Sequence, residues 1–502
     1  MDFLDPRKKR SHKIRLMVGY FLMGIVLVLC TIILVYGASG HGYDTKTGQI
    51  VENGLLFANS KPTGADIYLN GQLQTNKTSA RFILPAGDYS LTIKKAGYRD
   101  WQRNFTLSAA VVSRYTYPFL FPQKPQVTNL KSYSAAPPLS SESPDHHWLL
   151  VQLPAPLANS KVSFDEYDTT NLAAVPQILN LPDNVLTADA GPVATLKAVE
   201  WSTDNKHLLL EHDFAGGSEF IVFDRTDPAK SFNVNQMFKV NPSQVALRNK
   251  SVDQLYLFDQ TKQTLQVGDT TQDILAPPFL THTLAFKSYG SSLLTYVTDS
   301  NVTAGNVQAR IWDNGQTYPL YTFKAGSKYI IDATQYQGHW YYVAGSDSAL
   351  RINIFEDPLT DVQNPQIAKA LPLFGFSLPG ADLVSFSASA RFIGVQAGQN
   401  FVVFDLDYQQ PYRYSVKSPL NAPATWMDGN RWITSSGGNV LVFDYDSTNA
   451  QMVTPTDLAA GGYFSSDYNQ LVTFYHSADG AQSILERVDM RAGADLPAGG
   501  KQ

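Results

Sequence analysis

Along the last three-quarters of the chain, short apolar runs end on an acidic residue at regular intervals. The eight acidic endings are Asp168, Asp224, Asp269, Asp313, Asp357, Asp405, Asp444 and Asp489. Successive endings are 56, 45, 44, 44, 48, 39 and 45 residues apart. The runs have the length and the β-branched and aromatic content of strands. The pattern therefore predicts repeated copies of one unit made of short strands.

The third ending has two candidates. Asp259 follows an apolar run but lies only 35 residues after Asp224, whereas Asp269 lies 45 residues after it. Aligning the preceding apolar runs, residues 207–210 with residues 254–257, selects Asp269. This choice makes the later intervals nearly uniform.

A repeat of about 40–50 residues built from short strands is typical of a β-propeller blade. One such sheet cannot bury its own faces, so the copies must stack around an axis. We predict a propeller over residues 144–491 with eight blades, or seven if the first or last copy is incomplete. The regular spacing indicates that the eight acids close turns and are structural rather than catalytic.

A second element precedes several of the apolar runs, namely a serine followed by turn-forming residues and then a strand. Its copies begin at Ser143, Ser202, Ser465 and, in a degenerate form, Ser387. The aspartate in such a turn accepts hydrogen bonds from nearby backbone N–H groups. The copies resemble the Ser-Pro-Asp-Gly repeat of TolB-like and WD40-like propellers, and the resemblance covers most of residues 144–491.

The N-terminal region predicts a membrane anchor. Residues 16–37 contain no charged side chain and are long enough to cross a bilayer of about 30 Å as a helix. Residues 1–15 hold six Lys/Arg and two Asp, so they carry +4 while the rest of the chain carries −9. The positive-inside rule places this basic segment in the cytoplasm and the bulk of the chain outside the plasma membrane, as a single-pass protein. A cleaved signal peptide is the alternative, although its apolar region is usually only about 7–15 residues long.

A small β-sandwich is predicted over residues 58–121, after a spacer and first strand over residues 38–57. Alternating apolar residues separated by turn signals such as Asn70-Gly71 indicate its strands. These features resemble the PEGA domain, with Thr63 where the family has glutamate. The matching residues are Pro62, Gly64, Ala65, Asn70, Gly71, Pro85, Gly87, Gly97 and Tyr98. The resemblance implies a module of cell-surface and envelope proteins with no enzymatic activity of its own.

Two segments are predicted to lack regular secondary structure. Residues 122–143 are rich in proline, serine and alanine, which predicts a linker. Residues 492–502 are rich in glycine and alanine, which predicts a disordered tail. The fold class is therefore all-β apart from one transmembrane helix.

Motifs for catalysis or metal binding are absent from the sequence. It contains no Gly-x-Ser-x-Gly elbow and no His-x-x-x-His pair. The acidic loops that follow Asp405 and Asp444 lack the glycine and distal glutamate of an EF-hand. Cys30 is the only cysteine and lies in the apolar segment, so no disulfide is expected. We expect no catalytic residue, cofactor or metal.

The chain has a net charge of −5 and no basic stripe beyond its N-terminus, which argues against nucleic acid as a partner. An exported chain without disulfides is more common in bacteria than in animals. The sequence predicts a membrane-anchored binding or scaffold protein of the bacterial cell envelope, whose propeller binds a protein or a surface glycan without catalysis. The alternative is an envelope hydrolase, directed at glycans or peptides, with paired carboxylates in the propeller funnel.

Overall fold

The computed structural model describes residues 6–38, 41–43, 50–154, 162–187, 195–290, 292–364, 366–367 and 369–495 of the 502-residue chain. The chain divides into two compact units. The first unit comprises Met1–Lys124 and Ala492–Gln502, and the second comprises Pro125–Arg491.

A single long helix, α1 (Pro6–Ala38), begins the described chain. Its stretch Lys13–Gly37 is long and apolar enough to cross a membrane, and no other described helix has this property. The helix begins at Pro6, so most of the predicted basic segment is helical as well. Large side chains such as Met17 (75% exposed) and Leu34 (72% exposed) have no protein packed against them. Apolar exposure on this scale is unfavourable in water, and lipid removes it.

Eight strands of the first unit are described, and they form two sheets. The strands are β1 (His41–Tyr43), β2 (Ile50–Ala58), β3 (Asp66–Leu69), β4 (Gln72–Lys77), β5 (Ala80–Pro85), β6 (Gly87–Lys94), β7 (Trp101–Leu107) and β8 (Val112–Tyr115). In one sheet β2 pairs with β1, with β5 and, in parallel, with β8. The other sheet has the order β4-β3-β6-β7. Alternate residues of these strands point to one side, and the core between the sheets contains Leu56, Ile67, Leu91 and Trp101.

The second unit is built almost entirely of strands. In chain order they are β9 (Val127–Tyr133), β10 (Ser140–Glu142), β11 (Trp148–Gln152), β12 (Ser163–Asp168), β13 (Gln177–Asn180), β14 (Thr195–Trp201), β15 (His207–Phe214), β16 (Gly217–Asp224), β17 (Phe232–Asn233), β18 (Gln244–Leu247), β19 (Gln254–Asp259), β20 (Thr264–Asp269), β21 (Ile274–Leu275), β22 (Thr283–Tyr289), β23 (Leu293–Thr298), β24 (Asn306–Asp313), β25 (Gln316–Lys324), β26 (Tyr329–Tyr336), β27 (His339–Ser346), β28 (Ile352–Glu356), β29 (Pro372–Phe376), β30 (Leu383–Phe386), β31 (Phe392–Ala397), β32 (Asn400–Asp405), β33 (Gln410–Ser415), β34 (Thr425–Trp426), β35 (Arg431–Ser436), β36 (Asn439–Asp444), β37 (Gln451–Pro455), β38 (Tyr463–Phe464), β39 (Gln470–His476) and β40 (Ser483–Asp489). Two short helices, α2 (Val234–Phe238) and α3 (Pro358–Gln363), lie between strands.

These strands form eight four-stranded antiparallel sheets, which we call blades 1 to 8. Blades 1 to 7 each take four consecutive strands, from β10–β13 to β34–β37, and blade 8 has the order β38-β39-β40-β9. The number of sheets equals the larger of the two blade numbers expected from the sequence. The second unit is a β-propeller.

Clusters of buried apolar side chains join neighbouring blades. Leu150 and Phe164 of blade 1 pack with Leu208 and Ile221 of blade 2 in one buried cluster. Similar clusters join blades 2 and 3, 3 and 4, 4 and 5, and 5 and 6. The two inner strands of a blade are covered on both faces. Their sequences are therefore continuous apolar runs and do not alternate between apolar and polar residues.

The ring closes through a strand that the sequence placed in a linker. Residues 122–143 contain β9 and β10, so the propeller begins at Pro125 rather than at residue 144. The outer edge of β40 pairs with β9, from Ser483 opposite Tyr133 to Val488 opposite Val127. The prediction of a linker was wrong here because composition describes local stiffness, whereas β9 is held by pairing with a strand some 350 residues away.

The predicted C-terminal tail is ordered at its start. A short 3-10 turn, Gly493–Asp495, follows the last blade, and it belongs to the first unit. The ammonium of Lys95 lies 2.8 Å from a carboxylate oxygen of Asp495. The Tyr98 hydroxyl accepts a hydrogen bond of 2.8 Å from the Ala492 N–H. Residues 496–502 of the predicted tail lie outside the described residues.

Candidate functional site

The eight acids singled out in the sequence occupy one position of the blade. Asp168, Asp224, Asp269, Asp313, Asp405, Asp444 and Asp489 each end the third strand of a blade, and Asp357 directly follows it. Asp259, the rejected candidate, ends the second strand of blade 3. The structure therefore spaces the eight acids around the ring and does not bring them together in one site.

Hydrogen bonds within the following turn occupy several of these carboxylates. Asp269 Oδ1 accepts from the Thr271 hydroxyl at 2.6 Å and from the N–H groups of Thr271 and Gln272 at 3.0 and 3.1 Å. Asp168 and Asp224 accept from their own turns in the same way. These hydrogen bonds, first the one from Thr271, lower the pKa of Asp269. An ionised carboxylate that accepts backbone N–H groups is the expected arrangement for a turn-closing acid.

Other closing acids pair with the start of the second strand. Both Asp405 oxygens accept from the Arg391 guanidinium, at 2.9 and 2.7 Å. The Asp357 carboxylate lies 2.6 Å from His339 Nδ1, and this hydrogen bond raises the pKa of His339. These contacts join neighbouring strands of one blade, which is a structural task.

The serine-containing turns between first and second strands share one hydrogen-bonding pattern. In blade 8 the Ser465 hydroxyl donates to Asp467 at 2.8 Å and accepts from the Gln470 N–H at 3.0 Å. Blades 1 and 2 repeat this arrangement at Ser143 and Ser202. Tyr468, the residue after the aspartate, has a positive φ of 58°. The repeated motif is thus turn chemistry.

In the first unit the predicted motif residues build turns and core. Asn70 and Gly71, with φ values of 49° and 78°, form the turn between β3 and β4. The Asn70 side chain accepts from the Ser90 N–H at 2.8 Å, which ties this turn to β6. Ala65 and Tyr98 are buried. Pro62 and Gly64 precede β3, Pro85 and Gly87 lie at the β5–β6 turn, and Gly97 precedes Tyr98.

The hydrolase alternative requires paired carboxylates in the propeller funnel. Glu142 ends β10, and its carboxylate lies 2.6 Å from His146 Nδ1. Burial raises the pKa of Glu142, and the hydrogen bond with His146 opposes that shift. On another blade, burial raises the pKa of Asp332, which accepts a hydrogen bond from the Tyr289 hydroxyl. Among the described residues, no group of three or more His, Cys, Asp or Glu side chains is arranged to hold a metal ion.

A pocket of about 420 Å³ lies between blades 3 and 4. Its walls include the aromatic rings of Tyr256, Phe279 and Trp312. The Phe279 centroid lies 5.0 Å from that of Trp312 and 6.1 Å from that of Tyr256. Tyr256 belongs to β19, Trp312 to β24, and Phe279 to the connection between the two blades. Stacking of blades around the axis therefore assembles the aromatic wall from three separate parts of the sequence.

A polar wall completes this pocket. Arg248 Nη1 donates to Gln254 Oε1 at 2.8 Å, and Gln254 Nε2 donates to Asp269 Oδ2 at 3.1 Å. The charges of Arg248 and Asp269 are thereby linked through one amide. The Tyr256 hydroxyl is buried and makes no hydrogen bond of standard geometry. Burial raises the pKa of Tyr256, and the nearby Arg248 guanidinium opposes the shift.

A depression of equal volume on the first unit is a weaker candidate. It is lined by Asn70, Tyr89 and Phe105 among others. Its polar side chains already bond one another or the backbone: Thr106 donates to Asp88 at 2.6 Å, and Asn70 accepts from β6. The pocket of blades 3 and 4 combines three aromatic rings with charged and amide side chains, which makes it the stronger candidate binding site.

Sequence reasoning missed this pocket. It used Tyr256 and Asp269 to set the repeat register and did not connect them with Arg248, Phe279 or Trp312. The aromatic run over residues 339–343 offers another carbohydrate platform by composition, or a buried strand. Tyr341, Tyr342 and Val343 of that run are buried in the clusters on the two faces of blade 5. The available signal was the Pro277-Pro278-Phe279 connection, which is longer than a tight turn.

Comparison with protein families identifies the small domain. Residues 53–119 match the family model of the PEGA domain. This part of the chain is a PEGA domain. Its bounds agree with the two sheets of the first unit, from β2 to β8. The PEGA domain is followed directly by the closing strand of the propeller. No curated protein matches the chain.

Solved structures similar to the chain include β-propellers. They include the Dos1 propeller, with 13% identity, a TM-score of 0.45, and coverage of 73% of this chain and 95% of that one. The Cps50 (Swd1) β-propeller domain of Myceliophteria thermophila has 9% identity, a TM-score of 0.37, and coverage of 72% and 99%. An oligogalacturonate lyase in complex with manganese has 9% identity, a TM-score of 0.38, and coverage of 73% and 98%.

Proposed function

We propose that this protein is a membrane-anchored, extracytoplasmic binding protein of the bacterial cell envelope, whose propeller holds a partner without catalysing a reaction. One observation carries the proposal. The pocket between blades 3 and 4 combines a wall of aromatic rings with a wall of charged and amide side chains. A site of this kind supports binding.

The apolar helix α1 determines the cellular location in this proposal. Six Lys/Arg precede or begin the apolar part of α1, and no comparable cluster follows it. The N-terminus therefore stays in the cytoplasm, and the PEGA domain and propeller lie outside the plasma membrane.

Site-specific labelling tests this topology, because Cys30 is the only cysteine. In a Cys30→Ser background, one new cysteine is introduced at Ser11→Cys or at the exposed Ser348→Cys. A membrane-impermeant maleimide added to intact cells should label Ser348→Cys and leave Ser11→Cys unlabelled until the cells are lysed. The opposite pattern contradicts the proposal.

Binding is tested by crosslinking the anchored protein in its native cells and identifying what co-purifies. The matched control is a tagged α1 without the two β units, which reports background from the membrane. The proposal expects an envelope protein or surface glycan enriched with the full chain alone. Equal recovery with both baits overturns it.

An envelope hydrolase that acts on glycans or peptides is the second candidate. The observation in its favour is Glu142, a buried carboxyl whose pKa is raised and which contacts His146, as a general acid requires. Glu142→Gln keeps the shape of the side chain and removes its acid. Cell-wall cleavage by the full chain that disappears in this variant would favour the hydrolase.

A further inference from the structure

The pocket between blades 3 and 4 has the chemistry of a site for an uncharged sugar. We propose that it binds one or two neutral pyranose units of a surface glycan, with the sugar ring against Trp312 and Phe279 and its hydroxyl groups on Arg248, Gln254 and Asp269. This inference rests on the proposed binding function and names the class of ligand.

The aromatic wall fits the face of a pyranose. Such a ring carries C–H groups on its faces, and these are buried favourably against apolar surface. Trp312 and Phe279 are half-buried, so part of each ring stays accessible in the pocket. The volume of about 420 Å³ lies within the range of small-molecule sites and is too small for a folded partner.

The polar wall fits the rim of a pyranose. Each sugar hydroxyl both donates and accepts, so it needs donors and acceptors side by side. The wall presents them in one row, a guanidinium, an amide and a carboxylate, already ordered by hydrogen bonds of 2.8 and 3.1 Å. The Gln272 side chain lines the same pocket. Planar groups held in fixed positions lose little conformational entropy when the ligand binds.

The charge balance selects a neutral ligand. Arg248 and Asp269 bring one positive and one negative charge to the same wall, and Gln254 connects them. A carboxylate on the ligand would be attracted by Arg248 but repelled by Asp269. A cationic group on the ligand would be attracted by Asp269 but repelled by Arg248. Uncharged hydroxyl groups satisfy both side chains without repulsion.

Tyr256 contributes its ring and not its hydroxyl to this arrangement. The ring lines the pocket beside Phe279. The hydroxyl is buried beside the Arg248 guanidinium, so a sugar oxygen in the pocket does not reach it.

The test is calorimetric titration of the full chain in detergent with four probes. Maltotetraose, cellotetraose and chitotetraose are the neutral oligosaccharides, and sialyllactose is the charged control. Saturation-transfer NMR on the same samples identifies the sugar protons that touch the protein. We expect saturable binding of at least one neutral probe and much weaker binding of sialyllactose.

Paired variants locate the binding site. Trp312→Ala removes the aromatic wall and Asp269→Asn removes the acceptor charge, and each should weaken binding about tenfold or more. Trp340→Ala and Asp313→Asn are their matched controls, because they change a half-buried tryptophan and a closing acid outside the pocket. The controls should leave the affinity unchanged.

Tyr256→Phe is a third control, because it keeps the ring that lines the pocket and deletes only the buried oxygen. It should leave the sugar affinity unchanged.

Three outcomes overturn the inference. They are no saturable binding of any neutral probe at millimolar concentration, equal weakening by the control variants, and tighter binding of sialyllactose. If the chain then still captures an envelope protein in cells, the proposed binding function stands and only the sugar assignment falls. If the chain neither binds a neutral probe nor captures an envelope protein in cells, both proposals are wrong.

Discussion

The Tyr133 hydroxyl donates a 2.8 Å hydrogen bond to the Asp165 carboxylate, although Tyr133 belongs to blade 8 and Asp165 to blade 1. The Lys131 ammonium lies 2.6 Å from the same carboxylate oxygen. Both side chains come from the closing strand β9, and Asp165 is fully buried. Around them, Leu149 and Phe474 pack in one apolar cluster that joins the two blades. The first and last blades are thus held together by a charged contact inside an apolar seam.

Asp165→Ala should loosen this closure. The change removes the carboxylate from the Tyr133 hydroxyl, which keeps only the Tyr167 hydroxyl at 2.8 Å, and leaves the Lys131 ammonium without its partner. We expect a loss of about 1–3 kcal/mol. Hydrogen exchange of the full chain should speed up at β9 and β40 before other blades respond. Asp213→Ala, which removes an exposed ion pair with Lys197 on blade 2, is the control and should cost under about 1 kcal/mol. Equal exchange at β9 in both variants would contradict the role of Asp165.

Asp405 and Asp259 both end an apolar run in the sequence, but their ion pairs should contribute differently to the free energy of unfolding. Arg391→Ala strips the bidentate partner from Asp405, whose side chain is fully buried, and should cost about 3 kcal/mol. Lys262→Ala removes an exposed partner of Asp259, the rejected candidate of the repeat, and should cost under about 1 kcal/mol. Urea unfolding midpoints of the two variants measure the difference. Similar midpoints would show that strand-end carboxylates are equivalent.

Glu219 should give the propeller a defined pH dependence. Burial acts to raise the pKa of this carboxyl, but hydrogen bonds from Thr187, His212 and Asn233 outweigh burial and lower it. A lowered folded-state pKa contributes stability above the unfolded value of about 4.3 and loses it as the pH falls through the folded value. Glu219→Gln should therefore be less stable than wild type by about 2 kcal/mol at pH 7.

That difference should begin to shrink as the pH falls below the unfolded pKa of about 4.3, and it should keep shrinking until the pH has fallen through the lower folded pKa of Glu219. Urea unfolding of both chains at pH 7, 5 and 3.5 provides the measurement. A gap that stays constant over this range would mean that Glu219 contributes through its shape and not through its charge.

Asp495 should stabilise the PEGA domain from the far end of the chain. Its carboxylate accepts from the Tyr98 hydroxyl at 3.1 Å and pairs with Lys95, and both members of that pair are mostly buried. Asp495→Ala should cost about 1–2 kcal/mol and speed amide exchange around residues 95–98. Asp66→Ala removes the exposed pair with Lys77 in the same domain and should have less effect. If amide exchange at residues 95–98 does not change in Asp495→Ala, then Asp495 does not stabilise this domain.

Local patterns were sufficient for the periodic parts of the fold. A strand that ends in a turn leaves its signature in consecutive residues, so the eight acids could be placed at strand ends, and Asp269 chosen over Asp259, from spacing alone. The turns of the PEGA domain were readable at Asn70-Gly71 for the same reason, since a positive φ favours these residue types. The apolar span was evident because a membrane-crossing helix needs only length and composition.

The closing strand and the pocket had no local signature. Residues 122–143 have the composition of a linker, yet β9 is a strand because β40 offers it an unpaired edge. Asp495 was predicted to lie in a disordered tail because its partners Lys95 and Tyr98 lie some 400 residues earlier and leave no local signal. The candidate site needs Tyr256, Phe279 and Trp312 to face one another, which sequence spacing does not express.

The sequence by itself therefore determined the repeating strands, their acidic endings, the PEGA domain and the apolar helix. These features follow from backbone geometry and side-chain periodicity within short windows. Only the tertiary structure decided how the ring closes and where a ligand pocket forms. Both depend on which blade faces which, and that is fixed by non-local pairing and packing whose energy no single segment contains.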